Sequence, residues 1–190
     1  AQMGKTVEDL IAFERLDTGR APVCAGWCSA REVLDSGGAA AFEEAAAAKG
    51  VRIWEELDPA LHVDARRAGD LGRLVRCLSN GVCNAVKFAP PGGRVRIRVW
   101  ERPGLEPGPG PGPAASPAGD GSGAEGPVLH IAVDDDGPGI AAAELDVLRC
   151  AEPFLQVGRG QLEGRGGTGL GLHLARRALA AHAGSHLVLP

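Results

Sequence analysis

Leu78-Ser79-Asn80-Gly81-Val82-Cys83-Asn84-Ala85-Val86-Lys87-Phe88-Ala89-Pro90-Pro91-Gly92-Gly93 is the stretch on which the reading of this chain turns. Asn80, Asn84 and Lys87 fall at i, i+4 and i+7, so a helix stacks two amides and an ammonium on one face. Leu74, Leu78 and Val82 take the opposite side. Asp70 can cap this helix, and the spacing of Leu71, Leu74, Leu78, Val82 and Val86 carries it forward. Amide oxygens are hard ligands suited to Mg²⁺, and a nearby lysine suits phosphate. Alone, an Asn-x-x-x-Asn pair reads as a solvated polar stripe, so the signal needs company.

Company lies downstream. Arg94 to Trp100 and Val128 to Val133 each alternate partly between apolar and polar residues, as strands do. Between them, from Arg102 to Pro127, Pro-Gly repeats give way to Ala, Ser, Gly and single acids. Such a composition cannot bury apolar area, and it predicts a flexible insert over about 102–127 that joins two neighbouring strands as an overgrown hairpin loop. The parity of Leu129, Ile131 and Val133 continues to Asp135, which puts this carboxylate on the face of the aliphatics. An ionised group there needs donors. Directly after come Gly137-Pro138-Gly139-Ile140, where missing Cβ atoms let a flat ligand approach the backbone and reach Asp135. Asp134 and Asp136 point the other way or sit in the turn, as solvated or capping groups. An ordinary Asp-x-Gly-x-Gly turn remains open at this point.

Further on, Gly164-Arg165-Gly166-Gly167-Thr168-Gly169-Leu170-Gly171-Leu172 feeds an Ala/Leu-rich helix expected from Gly171 to about His182. Successive exposed N–H groups at a helix start make an anion site, although a plain glycine loop reads the same way. Gly164-x-Gly166-x-x-Gly169 satisfies the dinucleotide fingerprint, but no strand precedes it and the chain ends before an acid can follow at the required distance. Upstream, Val7, Leu10, Ile11 and Leu16 at helical spacing before Gly19 suggest a helix tail. Ser29-Ala30-Arg31-Glu32 fits a capping box that opens a helix running through Gly37 and Gly38 to near Gly50. Val51 to Leu57 alternates like a strand. Strands and helices thus interleave as α/β or α+β.

Composition bounds these readings. With 190 residues, 24 acids against 20 bases and 44% hydrophobic content, the chain is one domain-sized unit with enough aliphatic surface to offset chain entropy. A net charge of −4 gives no electrostatic reason to expect nucleic acid or an anionic membrane. No apolar run approaches a bilayer span, and Ala1-Gln2-Met3-Gly4-Lys5 lacks the apolar core of a secretion signal, so an intracellular protein of cytoplasm or organelle stroma is expected. Five cysteines, odd in number and without Cys-x-x-Cys pairs, suggest neither a disulfide framework nor a zinc knuckle.

The signals gain specificity from their order. Leu78 to Gly93 resembles the N box of sensor histidine kinases, and Val133-Asp134-Asp135-Asp136-Gly137-Pro138-Gly139-Ile140 resembles their G1 box. Glu152-Pro153-Phe154-Leu155-Gln156 is similar to the F box, and Gly167-Thr168-Gly169-Leu170-Gly171-Leu172 to the G2 box. Asp9 to Arg20 is similar to the end of the family's dimerisation helix hairpin. The resemblance implies a Bergerat-type ATP-binding fold of the GHKL superfamily, a two-layer α/β sandwich with helices on one face of a mixed sheet. Residues 1–20 would be the end of the dimerisation and phosphoacceptor hairpin, 21–190 the catalytic ATP-binding domain, and about 141–165 its mobile lid.

By position, the resemblance makes Asp135 the acceptor of the adenine amino hydrogen and Asn84 the holder of Mg²⁺. Asn80 and Lys87 would contact the metal's shell or the phosphates and carry catalysis. Gly137 and Gly139 would line the base, while Gly167, Gly169 and Gly171, with Thr168 and Leu170 between them, would bracket the triphosphate. Arg159 or Arg165 could reach phosphate from the lid. Hydrolytic relatives carry a glutamate where this chain has Asn80, and an amide cannot take a proton from water. That favours an intact ATP offered to a histidine imidazole. None of His62, His130, His173, His182 and His186 sits in the acidic helical context of an acceptor, so the accepting histidine is expected N-terminal to this fragment. The implied partners are the kinase's own dimerisation domain, in a homodimer, and a response-regulator receiver domain, without nucleic acid or membrane contact by this fragment. Two alternatives stay open: a nucleotide-sensing pseudokinase and a Bergerat-fold ATPase. Ser185 to Pro190 supplies at most one further strand.

Overall fold

The computed structural model describes residues 24, 26–102, 127–142, 144–145, 148, 153–154 and 168–180. The helix tail expected in 1–20, residues 103–126 of the insert, most of the lid span 141–165 with Arg159 and Arg165, Gly167, and the C-terminal strand expected in 185–190 lie outside the described residues.

In chain order the elements are β1 (Gly26–Cys28), α1 (Ala30–Gly37), a 3₁₀ turn (Ala40–Phe42), α2 (Glu43–Ala47), β2 (Arg52–Leu57), β3 (Arg67–Gly69), α3 (Leu71–Phe88), β4 (Arg94–Arg102), β5 (Val128–Asp135) and α4 (Gly171–Ala180). β2, β4 and β5 form a mixed sheet in that spatial order, with β2 parallel to β4 and β4 antiparallel to β5. β1 and β3 pair separately and antiparallel. The expected hairpin is present: Arg102 lies opposite Val128, and the ladder runs to Val95 opposite Asp135.

The alternation of β4 sorts the two faces of the sheet. Val95, Ile97 and Val99 are buried and meet Ala30, Val33 and Leu34 of α1 and Leu78, Val82, Ala85 and Val86 of α3 in one core. Leu129, Ile131 and Val133 of β5 and Ile53 and Leu57 of β2 pack at its margin. The other face carries Arg94, Arg96 and Arg98, paired with Asp136, Glu56 and Asp134. A sheet with helices on one side and water on the other is the two-layer arrangement the sequence implied.

The N-terminal signals hold at the start of α1 and fail at its end. Ser29 and Glu32 form the reciprocal capping box, Ser29 N–H donating to Glu32 Oε2 at 2.8 Å and Glu32 N–H to Ser29 Oγ at 3.2 Å. The helix does not run on to Gly50. It stops at Gly37, and a 3₁₀ turn and the short α2 follow. Gly38 leaves the helical conformation with φ of −87° and ψ of −152°, and the next N–H, that of Ala39, donates to Glu55 Oε1 of β2 at 2.8 Å instead of to a helix carbonyl. A Cβ on Gly38 would stand 2.3 Å from that oxygen, so the carboxylate packs directly on this turn.

α3 begins as read. Asp70, 7% exposed, accepts the Arg73 N–H at 3.1 Å, and its second oxygen accepts the Cys24 N–H at 2.9 Å. The carboxylate therefore satisfies a helix donor and ties the segment before β1 to the same helix. At the far end Ala89 leaves the helix with ψ of 139° ahead of Pro90, as expected of a residue preceding proline.

Candidate functional site

Asn80, Asn84 and Lys87 do lie along α3, but they are not one solvated stripe. Asn80 is 7% exposed, Asn84 is exposed and Lys87 half-buried. Burial of Asn80 comes from α4, which packs against α3. A Cβ on Gly171, the first residue of α4, would stand 3.5 Å from Asn80 Oδ1, so the amide sits against the start of that helix. Leu170 and Leu174, both fully buried, anchor α4, and the Leu174 N–H donates to Leu170 O at 2.8 Å. Asn80 Nδ2 is buried without a hydrogen-bond partner among the described residues. A buried amide N–H left open costs roughly 1–3 kcal/mol, which a ligand accepting from it would recover.

The glycine-rich segment reaches α4 through Thr168, Gly169 and Leu170. Thr168 Oγ1 accepts the Leu170 N–H at 3.3 Å, and Gly169 adopts φ of +70°. This turn brings Gly171 to Asn80, so the third sequence signal and the first meet in space.

Asp135 closes β5 and is exposed. The donor that parity called for is the backbone of the next turn: Gly137 N–H donates to Asp135 Oδ1 at 2.7 Å. Gly137 is wedged between two elements, since a Cβ there would stand 2.3 Å from Asp135 Oδ1 and 3.3 Å from Phe88 O, in the last residue of α3. Higher on the same helix, a Cβ on Gly81 would meet Val133 Cγ2 at 3.5 Å. β5 and the turn after it therefore lie against the Gly81–Phe88 part of α3. Gly139 has φ of +71°, and among the described residues nothing lies within 4 Å of an added Cβ.

Asp134 and Asp136 separate from Asp135 more sharply than the sequence indicated. Asp134 takes Arg98 Nε at 2.7 Å and Arg98 Nη2 at 3.1 Å on the outer face of the sheet, with Arg96 Nε at 3.5 Å. The Arg98 hydrogen bond, opposed in part by burial, holds the Asp134 carboxyl below its ordinary value. Asp136 is ion-paired to Arg94 at 2.9 Å. Only Asp135 of the three has its carboxylate on the turn that adjoins α3.

Sequence reasoning missed Lys49. Its ammonium donates to Val86 O at 2.9 Å, to Lys87 O at 2.7 Å and also to Ala89 O, at the C-terminus of α3. No motif marks it, because the contact is made 37 residues away in sequence.

A divalent cation fits the donor chemistry here. Asn80 and Asn84 offer amide groups on adjacent turns, and among the described residues no three His, Cys, Asp or Glu side chains cluster as an all-protein metal site. Mg²⁺ commonly binds in this fashion, through few protein oxygens completed by phosphate and water. Among the described residues no helix is long and apolar enough to cross a membrane.

The sequence model of the family described as histidine kinase-, DNA gyrase B-, and HSP90-like ATPase matches residues 69–189. Histidine protein kinase DivJ of Caulobacter vibrioides is 29% identical over 183 residues, which is 96% of this chain and 26% of that protein. The sensor-like histidine kinase SenX3 of Mycolicibacterium smegmatis is 32% identical over 120 residues, 63% of this chain and 25% of that protein. The chain thus spans about a quarter of the length of these curated relatives. Among solved structures, full-length ShkA in complex with AMPPNP superposes with a TM-score of 0.62 at 26% identity, covering 92% of this chain and 30% of that one. The mycobacterial sensor histidine kinase MprB shares the fold, with a TM-score of 0.54 at 23% identity over 83% of this chain and 80% of its own.

Proposed function

The chain belongs to the histidine kinase-, DNA gyrase B-, and HSP90-like ATPase family, and from that premise we propose that it is the ATP-binding catalytic domain of a sensor histidine kinase. It presents ATP to a histidine on a dimerisation domain and, in the whole protein, works as a homodimer upstream of a response-regulator receiver domain. The observation that carries the reading is the buried Asn80 Nδ2 at the junction of α3 and α4, without a hydrogen-bond partner among the described residues, on the same helix as Asn84 and Lys87 and with the Asp135–Gly137 turn beside that helix's end.

In this reading Asp135 accepts a hydrogen bond from the adenine amino group while Gly137 N–H fixes its orientation. Gly137 and Gly139 leave the turn low enough for the base to lie against it. Asn84 would supply an oxygen to Mg²⁺, and Thr168, Gly169, Leu170 and Gly171 at the start of α4 would receive the phosphates, with Gly167 assigned there by the motif alone. Bound there, the metal would offset phosphate charge and align the γ-phosphoryl group. Lys87 would add positive charge to that end, and Asn80 Nδ2, without a hydrogen-bond partner among the described residues, would donate to a phosphate oxygen. An imidazole nitrogen then attacks the γ-phosphorus as the bond to the bridging oxygen breaks, and ADP departs. Asn80 cannot accept a proton from water, so nothing on α3 promotes hydrolysis ahead of transfer.

The test joins the chain to a dimerisation domain bearing an acceptor histidine and follows radioactive γ-phosphate onto it. Label should appear with wild type and disappear with Asn84→Ala, while Asp135→Asn weakens nucleotide binding by about 1–3 kcal/mol, the scale of a charge-assisted hydrogen bond. ATP binding without any labelled histidine would refute phosphotransfer and leave a sensing module. Equal affinity in Asp135→Asn would remove that carboxylate from the site.

A further inference from the structure

An α-helix ends with four backbone carbonyls that lack intrahelical partners, and a charged donor placed there also meets the negative end of the helix dipole. In α3 these belong to Ala85, Val86, Lys87 and Phe88. Ala85 O is taken by the Ala89 N–H at 2.8 Å. Val86 O and Lys87 O, and beyond them Ala89 O, converge on the one ammonium of Lys49. Phe88 O is left facing Gly137.

The position of Lys49 is itself fixed. It follows α2, where the Lys49 N–H donates to Ala46 O at 3.1 Å and Gly50 turns the chain with φ of +69°. Val51 is buried, and the Arg52 N–H then donates to Gly93 O at 2.9 Å to open β2 beside β4. The turn after α2 therefore lies against the turn after α3, where a Cβ on Gly50 would come 3.7 Å from Gly92 N. One lysine stem spans from the first turn to the last carbonyls of the second.

We propose that Lys49 is the positioning residue for the metal and phosphate end of the site, an inference that rests on the nucleotide-binding reading. Its three hydrogen bonds fix the last turn of α3, which carries Lys87, directly follows Asn84 and meets the Asp135–Gly137 turn. Without the ammonium, three carbonyls at a half-buried helix end lose their charged donor, and the turn that follows the metal ligand is free to fray back toward it. The adenine end depends less on it, because Asp135 is held by β5 and by Gly137 N–H.

The experiment titrates the full chain with a magnesium–ATP analogue and, separately, with adenosine, in wild type, Lys49→Met, Lys49→Gln and Lys49→Arg, each first checked for a cooperative melt. Lys49→Met should weaken the metal–nucleotide complex about tenfold, in keeping with loss of charged hydrogen bonds. Adenosine affinity should stay within about twofold, a difference too small to signal a lost hydrogen bond. Lys49→Gln keeps N–H donors without charge and should fall between, so it preserves the measurement if the methionine variant does not fold. Lys49→Arg, charged and rich in donors, should recover most of the loss. Unchanged metal–nucleotide affinity in a folded Lys49→Met or Lys49→Gln protein would overturn the proposal, as would equal weakening of adenosine or failure of arginine to recover binding. Wild type that binds neither ligand would instead refute the nucleotide reading and the proposal with it.

Discussion

Replacing Gly137 by alanine tests the base-reading end of the site at one atom. The new Cβ would stand 2.3 Å from Asp135 Oδ1 and 3.3 Å from Phe88 O. Carbon and carbonyl oxygen settle at roughly 3.3–3.6 Å, so the second contact is tight and the first is about 1 Å too short. Phe88 O belongs to the end of α3 and has little room to yield, whereas the Asp135 carboxylate can rotate. It then loses the 2.7 Å bond from Gly137 N–H that sets its direction. For an exposed pair that bond contributes about 1 kcal/mol to folding. The larger effect falls on ligand: a carboxylate turned away from the adenine amino group forfeits a charged hydrogen bond of about 1.5–3 kcal/mol, roughly tenfold or more in adenosine affinity. Calorimetric titration with adenosine, paired with thermal unfolding, separates the two. Gly139→Ala should also cost about 1–2 kcal/mol in unfolding, because Gly139 holds φ of +71°. In an Asp135→Asn background, Gly137→Ala should weaken adenosine far less than it does in wild type, because both changes act on the same group. Full affinity in Gly137→Ala, or additive losses in the double variant, would refute the argument that Gly137 serves Asp135.

Two further outcomes follow from titration behaviour. Burial pushes the Cys77 thiol up to about 11, whereas Cys24 is exposed; iodoacetamide at pH 8 should therefore modify Cys24 well before Cys77, as read by peptide mass after digestion, and equal rates would contradict the burial of Cys77. The carboxyl of Asp134 is held below its ordinary value of 3.8 mainly by its hydrogen bond to Arg98. A depressed value means that the pair's contribution is present above about pH 4 and fades as pH falls through the lower folded value. Both partners are 40% exposed, so Asp134→Asn should cost no more than about 1 kcal/mol at neutral pH and should flatten the acid limb of a stability–pH curve. An acid limb as steep as wild type would show that the pair does not contribute.

What the sequence disclosed depended on the range over which each determinant acts. The capping box at Ser29, the Asp70 cap and the alternation of β4 are local, and each was legible within a few residues. The end of α1 was not: Glu55 on a later strand accepts the Ala39 N–H there, and no periodicity in 30–50 reports it. Likewise the triad of α3 showed its spacing but not its division. Helical geometry predicts a common face, whereas burial is set by α4, about ninety residues downstream, which covers Asn80 and leaves Asn84 open. Lys49 is the extreme case: a half-buried lysine whose ammonium serves another element's end leaves no trace in composition or pattern.

Residue identity at position 80 and its burial reinforce one another. A glutamate there would bring a formal charge into the contact between α3 and the start of α4, where ionisation demands compensating donors and desolvation raises the carboxyl pKa. A raised pKa is useful to an enzyme that must take a proton from water, and such a group would also be poised to consume ATP before any acceptor arrived. An amide avoids that charge, keeps one oxygen and two N–H groups, and has no basic lone pair at neutral pH. With its Oδ1 3.5 Å from the position of a Gly171 Cβ, Asn80 would, in the proposed function, hold the phosphate end by hydrogen bonding while leaving the anhydride intact. Packing of α4 on α3 buries the Asn80 amide and leaves its Nδ2 without a hydrogen-bond partner among the described residues, which favours a ligand that accepts from it.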